Sequence, residues 1–181
     1  MIFEKADFEG VYIIEIEKHQ DSRGFFARSW DKNEFKLKNL NSNLTQCNIS
    51  FNHKKGTLRG MHYQTQPYQE AKLIRCTRGS LFDVIIDLRN NSKSFKKWLS
   101  FELNEKNHNM LYIPEGFAHG FQTLEDHTEV FYQMTQNYIP NSANGVRWND
   151  PVFNIDWPIK KPILSEKDQK FSDFNQKDFL K

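Results

Sequence analysis

The chain has 181 residues, of which 38% are hydrophobic and 27% charged, a balance typical of a folded globular protein. Its formal net charge of +2 gives no electrostatic reason to expect a nucleic-acid partner. No apolar run approaches the roughly 18 residues that a membrane-spanning helix needs, and the first residues do not have the pattern of a signal peptide. Since Cys47 and Cys76 are the only cysteines, we expect a cytoplasmic protein whose two cysteines are buried in strands.

Short runs of alternating polar and apolar residues, with turn signals every roughly 8–12 residues, predict an all-β sandwich or barrel. In chain order, the predicted strands are 11–16, 45–50, 72–76, 81–88, 98–103, 109–113, 120–124 and 128–134. A short helix is predicted over 31–39, with Asp31 as its N-cap, and a second one from Ser165. We expect one domain over 1–181, ending in a polar tail over about 169–181.

Two of the six histidines have neighbours that suggest chemistry. On a strand, His62 shares a face with Gln64, and such a polar face is unfavourable against an apolar core, so a wet cavity is predicted there. The alternative is a core histidine satisfied by one neighbour. His119 follows a Pro-Gly turn in a pattern that resembles the second cupin motif. Metal-binding cupins have further ligands in the first motif, where this chain has Gln64, so we expect no metal.

Eight motifs along the chain resemble the dTDP-4-dehydrorhamnose 3,5-epimerase family, whose members are sugar-nucleotide epimerases. They are DSRGFF (21–26), LRGMHYQ (58–64), KLIRC (72–76), DVIIDLR (83–89), IPEGFAHGF (113–121), WNDP (148–151), IDWP (155–158) and LSEKD (164–168). The resemblance implies a cupin jelly roll, or double-stranded β-helix, with a few short peripheral helices. It further implies an enzyme without a cofactor, and a homodimer in which N-terminal strands cross to complete the partner's active site.

The chemistry of this family is proton transfer next to a ketone. A 4-keto-6-deoxyhexose has acidified hydrogens at C3 and C5, and inverting either carbon requires a base, an acid on the opposite face and stabilisation of the enolate. The resemblance implies that His62 is the base, oriented by Asp168. It also implies that Tyr132 is the proton donor and that Lys72 lies near the enolate oxygen. Without the resemblance to this family, we would interpret Tyr132 as an ordinary residue of the barrel and Lys72 as a charged residue at its rim.

The same resemblance implies a set of substrate-binding residues: Arg23, Phe26, Gln46, Asn48, Arg59, His119 and Tyr138. The two arginines suit a pyrophosphate, because a guanidinium group binds phosphate oxygens bidentately. The two aromatic residues offer apolar or stacking surfaces for a ring.

Three positions at the nucleotide end of the pocket depart from the family pattern. His19 stands where the family usually has Phe, and Arg28 and Ala143 stand where it usually has Glu. Since a cation in place of an acceptor carboxylate changes which edge of a base can be bound, a CDP-linked sugar remains an alternative to the dTDP-linked one.

Four functions therefore remain open at this point. The first is inversion of C3 and C5 in dTDP-4-dehydro-6-deoxy-D-glucose, giving dTDP-4-dehydro-L-rhamnose. The second is inversion of one carbon only, or of another nucleotide sugar. The third is an inactive sugar-binding cupin, which predicts loss of His62, Asp168 or Tyr132, although all three are present. The fourth is a metal-dependent cupin. For each of the first three we expect a nucleotide-diphosphate sugar as the ligand, with neither a nucleic acid nor a membrane as partner.

Overall fold

The computed structural model describes residues 1–175, which form thirteen β-strands and two short α-helices. The strands are β1 (Ile2–Lys5), β2 (Tyr12–Glu15), β3 (His19–Asp21), β4 (Gly24–Phe26), β5 (Gln46–Asn52), β6 (Leu58–Gln64), β7 (Lys72–Arg78), β8 (Ser80–Asp87), β9 (Trp98–Asn104), β10 (Met110–Ile113), β11 (Phe117–Thr123), β12 (Thr128–Met134) and β13 (Ala143–Gly145). The helices are α1 (Lys32–Leu37) and α2 (Glu166–Gln169).

Two antiparallel sheets make up the body of the molecule. The first has six strands in the order β1-β2-β10-β7-β12-β5, and the second has five in the order β13-β6-β11-β8-β9. Strands β3 and β4 form a separate two-stranded hairpin. The predicted all-β jelly roll is confirmed, and each predicted strand is present with ends that differ by a few residues. Five strands are absent from the list of predicted ranges: the short strands β1, β3, β4 and β13, and β6, which was treated as a strand only in the argument about His62.

One apolar core lies between the two sheets and fills one end of the sandwich. It joins Ile74 and Val130 of the six-stranded sheet to Ile85 and Phe121 of the five-stranded sheet. Since side chains alternate along a strand, Lys72 projects from the same face of β7 as Ile74. The inner face is thus apolar at one end and polar at the other, where it leaves a cavity.

Helix α1 covers the outer face of the six-stranded sheet. Asp31 caps it as predicted, its carboxylate accepting hydrogen bonds from the backbone N–H groups of Asn33 and Glu34. Phe35 is buried and lies edge-on against Tyr112, with ring centroids 5.8 Å apart. The helix therefore serves packing and lies away from the cavity lining.

The segment that follows β13 covers the outer face of the five-stranded sheet. Phe153 and Trp157 pack there in one cluster with Val84 and Ile86. After this cover the chain returns toward β6. Helix α2 begins at Glu166, one residue after the predicted start, and Ser165 is its N-cap. This path brings the end of the described chain against the strand that carries His62.

The predicted polar tail is more closely packed than its composition suggests. Within residues 169–175, Phe171 contacts the ring of His62 and Phe174 contacts Phe153, with centroid distances of 5.8 and 5.5 Å. Residues 176–181 of the predicted tail lie outside the described residues.

The two cysteines differ in environment. Cys76 is buried as predicted, but the prediction that Cys47 is also buried is wrong. Cys47 lies on β5, an edge strand of the six-stranded sheet, and shares its outward face with Ile49, which is 66% exposed.

Gly120 marks the closest approach between β6 and β11. A Cβ atom at this position would lie 2.6 Å from Met61 Sδ and 2.8 Å from the carbonyl oxygen of Arg59. Because overpacking of this kind is destabilising, we expect Gly120→Ala to lower the free energy of unfolding by about 1–3 kcal/mol in urea titrations. A change below about 0.5 kcal/mol would show that the two strands separate without strain.

Candidate active site

The cavity between the sheets has a volume of about 360 Å³. Both sheets supply its walls, so groups on facing strands can reach one ligand from two sides. The polar side chains that line it are Asn48, Ser50, Arg59, His62, Tyr63, Gln64, Glu70, Lys72, His119, Tyr132, Tyr138, Asn144 and Lys167.

A bulge brings Arg59 and His62 to the same cavity. Three positions separate them, so on a regular strand they would face opposite sides. The pairing of β6 with β11 shifts in register between His119 and Phe121, and both side chains then line the cavity. The alternation used for the sequence prediction places only His62 and Gln64 there, and the intervening Gly60 was the one local sign of irregularity.

His62 is held by Asp168, which is 106 positions away in the sequence. The distance from His62 Nε2 to Asp168 Oδ1 is 2.7 Å. The Asp168 side chain is only 6% exposed, whereas that of His62 is 41% exposed. Donation from Nε2–H to the carboxylate leaves Nδ1 with the lone pair, the form in which the ring is a base.

Asp168 is kept ionised by its partners. Burial alone would raise its pKa. The hydrogen bond from His62, the charge of that ring, and hydrogen bonds from the Ser165 side chain and the Gly60 backbone together outweigh burial, so the pKa of Asp168 is lowered from 3.8. The backbone N–H of Asp168 also donates to Ser165 Oγ at 3.1 Å, which fixes α2 at its first turn.

This lowered pKa predicts how stability changes with acid. A carboxyl whose pKa is lower in the folded state stabilises the fold above its unfolded pKa and loses that contribution as the pH falls through its folded pKa. We therefore expect Asp168→Asn to be less stable than the natural chain at about pH 7 and the difference to shrink toward about pH 3. Urea unfolding at both pH values measures this, and a difference that stays constant with pH would contradict it.

Phe171 and Gly145 enclose the outer side of this pair. The ring of Phe171 meets that of His62 edge-on, with an interplanar angle of 66°. Gly145 pairs with His62 across β13 and β6, and a Cβ at this glycine would lie 2.5 Å from the Phe171 ring. The absence of a side chain at Gly145 therefore lets Phe171 approach.

A second histidine–aspartate pair lies deeper in the cavity. His119 Nε2 is 3.1 and 3.0 Å from the two oxygens of Asp83, and both residues are buried. Burial raises the pKa of Asp83, while the charges of His119 and Lys72 oppose the rise. The two contacts with the Asp83 carboxylate fix the orientation of the His119 ring.

Tyr132 lies on β12, in the sheet opposite His62 and His119. Its ring meets that of His119 edge-on, with centroids 6.2 Å apart. Burial, followed by the negative charge of Asp83, raises the pKa of the Tyr132 phenol. The phenol therefore keeps its proton at neutral pH, which is the form that an acid requires.

Lys72 is a buried cation in the cavity wall. Its Nζ is 3.1 Å from Glu70 Oε1 and 3.5 Å from the backbone oxygen of His62. The side chains of Lys72 and Glu70 are 8% and 4% exposed. Lys72 therefore lies in the cavity wall and is buried. The alternative interpretation, in which Lys72 is a solvated charge at the rim, is wrong.

The structure brings most of the predicted site residues together. Lining the cavity are His62, Tyr132, Lys72, Asn48, Arg59, His119, Tyr138 and Ala143, with Asp168 behind His62. Gln46 stands beside them, its side-chain oxygen accepting a hydrogen bond from the backbone N–H of Tyr138 at 3.0 Å.

The predicted residues of the N-terminal hairpin lie elsewhere. Phe26, His19 and Arg28 line a different depression, and Arg28 forms an ion pair with Asp31 at 3.0 Å. Arg23 is 88% exposed in its side chain, and Phe26 is 73% exposed. Within one chain, therefore, the hairpin does not contribute to the cavity lining.

Several residues of the site were not predicted from the sequence. They are Ser50, Glu70, Asp83, Asn144 and Lys167, together with the role of Gln64 in fixing the neighbouring loops. The side-chain amide of Gln64 donates to the backbone oxygens of Tyr68 and Asn137, and its oxygen accepts a hydrogen bond from the backbone N–H of Ile139. These bonds fix the loops at the cavity mouth. Alternation could have found Ser50, which lies two positions from Asn48 on the same strand face. Glu70 carries no such signal, because it precedes its strand.

Among residues 1–175, no group of three or more His, Cys, Asp and Glu side chains is arranged to hold a metal ion. No helix in this range combines the length and the apolar character needed to cross a membrane.

The facing sheets and their acid–base groups define a jelly-roll protein of the cupin type, equipped for proton transfer in an open cavity. Residues 5–176 match the family model of dTDP-4-dehydrorhamnose 3,5-epimerase, and the chain belongs to that family. The resemblance of the eight motifs is thereby confirmed.

Known relatives are similar over almost the whole chain. The dTDP-4-dehydrorhamnose 3,5-epimerase of Escherichia coli (strain K12) is 42% identical over 168 residues, covering 92% of this chain and 90% of its own length. The crystal structure of the enzyme from Elizabethkingia anophelis NUHP1 matches with a TM-score of 0.94 and 38% identity, covering 99% of both chains. The dTDP-6-deoxy-D-glucose-3,5-epimerase from Legionella pneumophila Philadelphia 1, solved in complex with dTDP-4-keto-L-rhamnose, matches with a TM-score of 0.89 and 34% identity, covering 95% of this chain and 92% of its own.

Proposed function

We propose that this chain is a dTDP-4-dehydrorhamnose 3,5-epimerase, which inverts C3 and C5 of dTDP-4-dehydro-6-deoxy-D-glucose and gives dTDP-4-dehydro-L-rhamnose. One observation carries the proposal. A histidine bonded to a carboxylate and a protonated tyrosine line one cavity from opposite sheets. Such a pair can remove a proton from one face of a sugar ring and return one to the other face.

In the proposed mechanism, His62 Nδ1 takes the proton from the carbon next to the ketone. Asp168 holds the ring and stabilises the imidazolium that forms, as the aspartate of a catalytic triad does. Tyr132 then donates its proton to the opposite face of the enolate. The His62 imidazolium releases its proton to solvent and the Tyr132 phenolate takes one up, which returns both groups to their starting forms. Support for these roles comes from the 2.7 Å contact of His62 with Asp168 and from the raised pKa of Tyr132.

The negative charge of the enolate requires donors within the cavity. Lys72 supplies an ammonium group held in place by Glu70, and His119 supplies a ring fixed by Asp83. Donors whose positions are set before the reaction stabilise a developing oxyanion strongly in a site that excludes water. We assign the pyrophosphate to Arg59, which lines the cavity and is held at its Nε by Asn52 Oδ1 at 2.8 Å.

The decisive test is an NMR time course in D2O with dTDP-4-dehydro-6-deoxy-D-glucose. We expect deuterium to enter C3 and C5 as the L-sugar forms. Deuterium at one carbon only would indicate a monoepimerase. No exchange with the dTDP sugar, but exchange with its CDP counterpart, would instead assign the substitutions Arg28 and Ala143 to a changed nucleotide preference.

We also propose that the active enzyme is a homodimer with shared sites. The argument is that Arg23 and Phe26 are exposed on a protruding hairpin, away from the cavity of their own chain. If the hairpin enters the partner's cavity, an Arg23→Ala chain and a His62→Ala chain complement each other, because one site of the mixed dimer has both natural residues.

Co-expression tests this arrangement. Equal amounts of the Arg23→Ala and His62→Ala chains should recover about a quarter of the natural activity, since half of the dimers are mixed and each has one intact site. The matched control pairs His62→Ala with Asp168→Ala, two residues that meet within one chain, and should recover no activity. Equal recovery in the two mixtures would contradict shared sites.

We place this enzyme in the cytoplasm, since a reducing compartment suits a chain whose two cysteines are unpaired.

A further inference from the structure

Asn52, at the end of β5, connects Arg59 with the cavity wall. Asn52 is 2% exposed, and its Oδ1 accepts a hydrogen bond from Arg59 Nε at 2.8 Å. Its Nδ2 lies 3.1 and 3.2 Å from the backbone oxygens of Thr128 and Ser50, and 3.4 Å from Ser50 Oγ. A guanidinium group can only donate, so the oxygen of the Asn52 amide faces Arg59 and the N–H groups face Ser50.

The register of β5 and β12 brings Ser50 within reach of Tyr132. Ser50 pairs with Val130, and Tyr132 follows two positions later on the same face of β12. Such diagonal neighbours are about 7–8 Å apart, a distance that an aromatic side chain can span. Ser50 and Tyr132 both line the cavity. Burial and the charge of Asp83 raise the pKa of the phenol, and the charge of Arg59 and a hydrogen bond from the Ser50 side chain oppose the rise.

The contact with Asn52 sets the direction of the Ser50 hydroxyl. Because an amide N–H can only donate, Ser50 Oγ is the acceptor in that contact, and the hydroxyl keeps its own hydrogen for another acceptor. The phenol oxygen of Tyr132 fits this part, since a donor at that oxygen favours the phenolate and so acts to lower the pKa.

We propose that Ser50 is a positioning residue for Tyr132, whose hydroxyl, held as a donor by Asn52, points at the phenol oxygen and turns the phenol hydrogen toward the substrate. This inference rests on the proposed function. When Tyr132 gives its proton to the carbon of the enolate, the phenol becomes a phenolate. The Ser50 hydroxyl then stabilises the charge on that oxygen from a position that is set before the reaction.

The test compares inversion with deuterium exchange in Ser50→Ala. We expect kcat for formation of the L-sugar to fall about 10- to 100-fold, the loss of a hydrogen bond to a charged oxygen, with KM within about twofold of the natural value. Deuterium exchange should fall less than about threefold, because His62 still removes the proton and returns deuterium to the same face. Ser50→Thr keeps the hydroxyl and should keep kcat within about fivefold. Ser100→Ala, a change at a half-buried serine of β9 that lines a different depression, is the control and should match the natural chain.

The same substitution in the Tyr132→Phe chain separates positioning from other roles. With no phenol oxygen present, Ser50→Ala should change the remaining inversion rate by less than about twofold. An equal loss in both backgrounds, a raised KM with unchanged kcat, or an equal loss in Ser50→Ala and Ser50→Thr would overturn the inference while the epimerase function stands. If the natural chain forms no L-sugar and exchanges neither carbon, the proposed function itself fails, and the assignment of Ser50 fails with it.

Discussion

Replacing His62 with alanine is expected to lower deuterium exchange at both C3 and C5 by about 10²–10⁴-fold, the usual contribution of a general base. The change removes the ring that Asp168 orients, and among residues 1–175 no other base is bonded to that carboxylate. The fold should survive, because the His62 side chain is 41% exposed and lies outside the apolar clusters. Exchange is followed by NMR in D2O, and folding by the urea midpoint.

His53 provides a matched control for this experiment. It is an exposed histidine next to the end of β5, with ring contacts to Phe51 and His127 and no place in the cavity lining. We expect His53→Ala to exchange at the natural rate. Near-normal exchange by His62→Ala would show that the base is another residue, and a large loss of stability would show that His62 is needed for folding.

For Tyr132→Phe, the expected result is a separation of exchange from inversion. His62 still removes the proton and can return deuterium to the same face, so exchange continues while the L-sugar forms about 10²–10⁴-fold more slowly. The phenol is the group lost, and the ring, with its packing against Phe121 and His119, remains. Chiral analysis of the sugar together with deuterium content measures the two processes in one reaction.

Two outcomes would contradict this role for Tyr132. Inversion at the natural rate would assign the acid to another group that lines the cavity. Weaker substrate binding with unchanged inversion at saturation would make the phenol a binding group. In either case, the pKa of Tyr132, raised by burial and by the charge of Asp83, would not reflect a role as the acid.

Much of the fold could be predicted from alternation and turn residues. The strands with seven or eight residues are long enough to be identified, β8 as an apolar run between turn residues and β12 by its partial alternation. Strands as short as β13 are not. The cap of α1 was predictable as well, since Asp31 has the side chain that the first turn requires.

The site was predictable only in part, and mainly through the family motifs. Alternation indicates a polar strand face at His62, but nothing in the spacing connects this residue with Asp168. Arg59 reaches the cavity because of a bulge, which depends on the pairing of two strands and cannot be seen in one of them. Glu70 lies in a loop, and only tertiary contacts reveal that it is buried beside Lys72.

The late position of Asp168 has a consequence for the order in which the protein is made. All strands of both sheets precede residue 146, so the ribosome has delivered the whole sandwich before the residue that orients the base emerges. Domains begin to fold during synthesis, in the direction of the growing chain. A nascent chain can thus hold the strands of the cavity with a histidine that still lacks its aspartate. Under the proposed mechanism, proton transfer would begin only after Asp168 has been made and α2 has docked against β6.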